Sequence, residues 1–173
     1  MKRMLAVACV AALVAAVAAS AAPSPKALYN ALLVSTVKGV MSTPARPGSQ
    51  AKRHHVVGEM LFNFLDGHSR IAYVVFPTHA DALGNYADGL RALKSIPAVK
   101  KIVKPVPGLP KPSILVDASQ TGVGVTQVSL VVDNVEIAAQ SLRLQAKSGN
   151  EKLAKSLALL AIKHLKSIEK TAK

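Results

Sequence analysis

The chain has 173 residues, half of them apolar but only 3% aromatic, and its 22 Lys and Arg against 9 Asp and Glu give a net charge of +13. Its one cysteine, Cys9, lies near the start, which excludes disulfide scaffolding, thiolate metal sites and cysteine nucleophiles from everything after it. So cationic a surface favours anionic partners, but with no Trp, three Phe and three Tyr there are too few stacking rings to favour nucleic acid.

Met1-Lys2-Arg3 opens the chain, an Ala, Val and Leu run follows from Met4 to Ala19, and Ser20-Ala21-Ala22 places small residues before Pro23. This is the pattern of a secretory signal peptide over residues 1–21, cleaved after Ala21. The rival is an uncleaved anchor, but the run is Ala-rich and shorter than the roughly 20 strongly apolar residues that a spanning helix prefers. Cys9 is a poor lipoprotein acceptor, because Ala6 stands three residues before it where a large aliphatic is usual. The expected mature chain carries 20 cations against 9 carboxylates, a net +11. No later stretch is apolar enough to span a bilayer, so the chain reads as an exported domain, secreted or held in the envelope.

Ser24-Pro25 is a helix entry with proline at the first helical position. Leu28, Tyr29, Leu32, Leu33, Val37 and Val40 follow at helical spacing, so this helix is expected to end near Gly39 to Met41. Ser42 to Arg53 holds Pro44, Pro47, Gly48 and three basic residues and reads as a polar linker. Residues 22–53 are thus an N-terminal helix and linker that joins a domain over 54–173.

From His55 the period changes to two. Val56, Gly58, Met60, Phe62 and Phe64 share one face, Glu59, Leu61 and Asn63 the other; Asp66-Gly67-His68-Ser69 turns the chain and Ile71 to Phe76 returns as a second strand. Pairing Leu65 with Arg70 sets Val56 opposite His79. Thr78 then caps a helix running to about Ser95, with Asp81 in the first turn and Leu83, Tyr86, Ala87, Leu90 and Leu93 as its buried stripe. Ile96 to Pro112 holds five prolines and four lysines, which predicts an extended, solvated excursion with at most a short edge strand over Val99 to Val103.

Ser113 to Ala118 reads as a strand, with a turn around Gly122 and Gly124. The stretch from Thr126 to Gln140 then carries the clearest pattern in the chain. With Asp133-Asn134 as a two-residue turn, Val132 faces Val135, Leu130 faces Ile137 and Val128 faces Ala139, an apolar face. The reverse face pairs Val131 with Glu136, Ser129 with Ala138 and Gln127 with Gln140, and a slip of one residue would scramble both. Gly149-Asn150 starts the closing helix. Leu153, Leu157, Leu160, Ala161, His164, Leu165 and Ile168 form one stripe, Lys152, Lys155, Lys163, Lys166 and Lys170 the other, with Leu159 among the lysines.

Strands that arrive in adjacent antiparallel pairs between helices define an α+β fold, expected as two layers: a mostly antiparallel sheet of about five strands with helices on one face. The export signal, the late hairpin with its paired-residue turn and the closing amphipathic helix resemble the small extracytoplasmic domains of bacterial exported proteins and lipoproteins. They are also distantly similar to the extracellular sensor domains of bacterial serine/threonine kinases, from which this chain departs in lacking cysteines after Cys9.

Two sets of residues are candidates for chemistry. Lys100, Lys101, Lys104 and Lys111 in the proline-rich excursion are the expected contacts for an anionic envelope component or small ligand. His54, His55 and His79, with Asp81, would gather at the open end of the first hairpin if the register above holds, and could hold zinc or copper. Their spacing matches no compact ligand motif. No nucleophile elbow, Walker loop or dinucleotide fingerprint is present; the acids Asp66, Asp81 and Asp133 already serve turns or caps. Binding is therefore favoured over catalysis, with a metal-binding protein or metallohydrolase as the alternative.

Overall fold

The computed structural model describes residues 22–36, 40–45, 54–97, 99–103, 105–120, 123–144 and 150–172. The elements are α1 (Pro25–Val34), β1 (Val40–Ala45), β2 (Gly58–Phe64), β3 (Ser69–Val75), α2 (His79–Lys94), β4 (Val99–Val103), β5 (Ser113–Gln120), β6 (Val123–Val132), β7 (Val135–Leu144) and α3 (Glu151–Thr171). Residues 1–21, where a signal peptide is expected, lie outside the described residues.

The strands form one antiparallel sheet in the order β1-β2-β3-β7-β6-β5-β4. The class is α+β, as the pattern indicates, and the β6–β7 register is the one read from the alternation, with Leu130 opposite Ile137 and Val128 opposite Ala139. Asp133 takes the positive φ of the turn, 49°. Asn134 ties that turn to the end of β3, its Nδ2 donating to the Phe76 carbonyl at 2.6 Å and its own carbonyl accepting from Phe76 N–H at 2.9 Å.

Seven described strands replace the five expected, and the helices occupy both faces of the sheet instead of one. The reason lies in β5 and β6, where consecutive residues are buried: Ile114, Leu115 and Val116, then Leu130 and Val131. Side chains alternate along a strand, so such runs need cover on both sides. On one side α1 and α3 close a core of Met60, Phe62, Tyr73, Val128, Leu130 and Ile137 with Leu28, Leu32, Leu157 and Leu165. On the other, α2 packs Ala82, Tyr86 and Leu90 onto Phe76, Ile114, Val116 and Val131.

The first helix ends at Val34, several residues early, because both the N–H and the hydroxyl of Ser35 turn back to the Leu32 carbonyl at 3.2 and 2.8 Å. Part of the expected linker is β1, an edge strand, the position at which a sheet tolerates a proline such as Pro44. In the β2–β3 hairpin Asn63 faces Arg70 and Gly58 faces Val75, a shift of two from the expected pairing. The Asp66 carboxylate sets it, accepting from the N–H groups of His68 and Ser69 at 2.8 Å each and from the Ser69 hydroxyl at 2.7 Å. An even shift leaves the faces unchanged.

The α2 stripe is rotated from the expected one: Ala82, Asn85, Tyr86 and Leu90 are buried while Ala87 is exposed. The proline-rich excursion does not stay in solvent throughout, since Val106 and Leu109 insert into the α3-side core. Its edge strand, β4, is as predicted. Thr78 caps α2, its Oγ1 accepting from Asp81 N–H at 3.1 Å and donating to the Asp81 carboxylate at 2.6 Å. Thr78→Ala is expected to cost about 1 kcal/mol, read in thermal unfolding as a fall in Tm of about 3 °C.

Candidate functional site: a cleft between α2 and the open sheet face

The pairing of β2, β3, β7, β6 and β5 lines up three rows of side chains on the α2 side of the sheet. Glu59, Val74, Glu136 and Val131 form one; Leu61, Ala72, Ala138, Ser129 and Ile114 the next; Asn63, Arg70, Gln140, Gln127 and Val116 the third. The apolar β5–β6 end of these rows lies under α2. The polar members form a ladder across three strands. Arg70 donates to Gln140 Oε1 through Nε at 2.9 Å and also through its terminal nitrogen; Gln140 Nε2 donates to Gln127 Oε1, and Gln127 Nε2 to Ser129 Oγ, at 2.5 Å each. Each rung orients the next, so the last two present fixed groups to whatever lies above them.

Above them is a cleft of about 260 Å³, walled by Tyr86, Leu90, Leu93 and Ile96 of α2 and its exit and floored by Ile114, Gln127, Ser129 and Glu136. Its polar groups are under unequal constraint. Glu136 accepts from Asn85 Nδ2 at 2.5 Å, yet burial, opposed by that bond and reinforced by Glu59, pushes its pKa up to about 7. Burial and the neighbouring Glu136 carboxylate push Tyr86 up to about 12. Among the described residues, the buried Tyr86 hydroxyl has no hydrogen-bond partner. Burial also raises Glu59, against the pull of Arg70. A carboxyl poised near neutrality and an amide with a hydroxyl thus converge on a mostly apolar cavity that the Tyr86 side chain helps to wall, which is the make-up of a small-molecule site.

The sequence-predicted residues are distributed differently. His54 Nε2 meets Asp88 Oδ2 on α2 at 3.1 Å, and Asp88 also pairs with Arg91. The His54 ring packs against Gly84, where a Cβ would lie 2.8 Å from its Cε1. His55 is exposed with a φ of 54°. His79 Nδ1 donates to the Asp133 carbonyl, nine residues along α2 from Asp88. The observed register, if continued, would set His54 opposite His79, but β2 begins only at Gly58 and β3 ends at Val75, so the chain leaves the ladder before either histidine and takes His54 to Asp88 and His79 to the Asp133 carbonyl; among the described residues no group of three His, Cys, Asp or Glu is placed to hold a metal ion. Lys100 and Lys101 fall on β4, Lys104 lies outside the described residues, and Lys111 is exposed. Lys111 borders a shallow depression with Pro105, Pro112, Ser113 and Tyr86, so Tyr86 stands between the cleft and the basic loop. His164 is structural: the Tyr73 hydroxyl, which lies 3.1 Å from the Ala161 carbonyl, is 3.1 Å from His164 Nδ1, and burial lowers the imidazole pKa.

Sequence reasoning had seen half of this site. The Gln127–Gln140 and Val131–Glu136 pairs follow from the hairpin alone. Asn85, Tyr86 and Arg70 do not, since α2 and β3 reach the hairpin only through long-range packing.

Fold and site together define a domain with an antiparallel α+β sheet open on part of one face, and a cleft where α2 covers the rest. The structure is similar to the extracellular domain of PknH from Mycobacterium tuberculosis, at 14% identity and a TM-score of 0.48 over 80% of this chain and 89% of that one. No family model and no curated protein matches the sequence. None of the helices among the described residues is long and apolar enough to cross a membrane.

Proposed function

We propose that the chain is an exported, non-enzymatic bacterial domain of the envelope or secretome, and that the α2 cleft binds a small ligand with an apolar body and a few hydrogen-bonding groups. The observation that carries this reading is the convergence of the Glu136 side chain with the Gln127–Ser129 end of the ladder on one mostly apolar cavity. At about 260 Å³ the cavity falls just below the range of about 300–1,000 Å³ common for ligand sites, which points to a small compound. An acidic group on it would meet Lys111 beyond Tyr86.

Ala92 lines the cleft and is exposed, so Ala92→Trp is expected to fill the mouth without disturbing the core. Ligand-observed NMR with a panel of small neutral and weakly acidic compounds should give binders whose signals recover in Ala92→Trp. Gln127→Leu, which keeps the volume and removes the amide from the cleft floor, should weaken those that hydrogen-bond there about tenfold, a cost of about 1.4 kcal/mol. Binders indifferent to both changes would place the ligand elsewhere and end the cleft assignment.

A further inference from the structure

We propose that the layer made by α1 and α3, on the opposite face from the cleft, docks on an anionic phospholipid surface. The inner residues of α3, among them Ala154, Leu157, Ala161, Leu165 and Ile168, are buried, which fixes its outer stripe. Lys152, Lys155, Leu159, Lys163, Lys166 and Lys170 recur there at three- and four-residue steps. The stripe extends ~27 Å along the helix at about 1.5 Å per residue. Four of its lysines are exposed, Lys155 half-buried. With Lys26 of α1 the layer carries six lysines against the two glutamates Glu151 and Glu169.

The same layer concentrates exposed apolar surface. Of six large apolar side chains exposed among the described residues, four belong to it: Leu33 and Val34 of α1, Leu159 and Leu160 of α3. Val34 is 82% exposed, and Leu159, 47% exposed, sits in the middle of the lysine stripe. Beside Leu159 a groove is lined by Ile162, Lys163, Lys166, Ser167 and Lys170, so cationic ends ring an apolar floor.

That combination selects among anions. A hydrophilic polyanion such as an acidic polysaccharide would use the lysines and gain nothing from the leucines. Nucleic acid would call for exposed rings, and the one aromatic of α1 or α3 apart from His164, Tyr29, packs against Gly58 of β2, where a Cβ would come within 2.3 Å of its ring. A phospholipid bilayer uses both, with phosphates meeting the lysines and the leucines entering the headgroup boundary.

The test uses residues 22–173, which contain every described element and both cores, and sediments the protein with phosphatidylcholine vesicles with and without phosphatidylglycerol. Retention is expected on the anionic vesicles alone and should fall with added salt. Replacing Lys163, Lys166 and Lys170 together by Ser should weaken it about a hundredfold, at about a factor of five per lysine. The double change Val34→Ser with Leu159→Ser should weaken vesicle binding about tenfold while leaving retention on heparin, a lipid-free polyanion, unchanged. All five positions are exposed, and an unaltered thermal unfolding profile would confirm that the fold is intact. Absence of binding to the anionic vesicles, or equal binding to the neutral ones, would overturn the assignment; vesicle binding that ignores the Val34 and Leu159 changes and tracks heparin retention would overturn it in favour of a polyanion site.

Discussion

Phe62→Ala is expected to destabilise the domain by about 4 kcal/mol, within the range of about 3–5 kcal/mol for buried phenylalanines. Phe62 is 1% exposed on the α3 side of β2. Its ring meets Tyr73 edge-on at 5.4 Å and His164 edge-on at 5.2 Å, and Tyr73 and His164 are in turn 5.8 Å apart. The three rings join two strands to α3, and the Tyr73 hydroxyl, within hydrogen-bond distance of the Ala161 carbonyl and of His164, holds the helix at that spot. Removing the ring loses its transfer free energy and leaves a cavity that two neighbours, each anchored by hydrogen bonds, cannot collapse to fill. Urea unfolding followed by circular dichroism checks this: a lowered midpoint with an unchanged slope is the expected result. A loss below about 2 kcal/mol would show that α3 can settle onto the gap, and hence that the ring cluster does not fix its position.

This cluster also shows how far the sequence could be read. Phe62 was placed on one face of a strand by alternation, Tyr73 within the strand that returns beside it, and His164 on a helical stripe by its spacing; nothing local said that the three would meet. The β6–β7 hairpin was legible in full because its two faces differ so sharply that only one register satisfies both. The β2–β3 hairpin was legible in its faces but not in its register, since registers two residues apart bury the same side chains and the choice fell to the hydrogen bonds that Asp66 makes with His68 and Ser69. The histidines were missed for another reason: the strands stop at Gly58 and Val75, and beyond them the chain carries His54 to Asp88 and His79 to the Asp133 carbonyl. β1 was hidden by Pro44 and its edge position. The α2 stripe was misphased for a different reason: Asn85 is polar but buried, held to Glu136 on the sheet, and a pattern of apolar residues cannot reveal a buried amide. The ladder from Arg70 to Ser129 was visible only as a wet hairpin face, its meaning set by the β3–β7 pairing.

The wet face leads to the second large effect, at Glu136. Glu136→Gln is expected to leave stability nearly unchanged near pH 4 and to raise it by about 2 kcal/mol near pH 8. Gln keeps an oxygen for Asn85 Nδ2 to donate to and removes only the charge. In the folded protein burial lifts the carboxyl from 4.5 to about 7, so between these values the folded state holds a proton that the unfolded chain has lost. The stability this proton gives is full below about pH 4.5 and is lost as pH rises through about 7. A shift of that size corresponds to about 3 kcal/mol, reduced to about 2 because water still reaches the half-buried side chain. His164, whose pKa burial lowers, acts in the reverse sense, destabilising the fold as pH falls below its ordinary value of 6.5. Because both proteins contain His164, the difference between their stability curves isolates Glu136. A difference that stays flat from acid to alkaline pH would show a carboxylate ionised throughout and a cleft open to water. A difference that grows through neutrality shows a carboxyl that donates a hydrogen bond on one side of pH 7 and accepts on the other, and a ligand in the cleft would then be bound in two pH regimes according to which of these it needs.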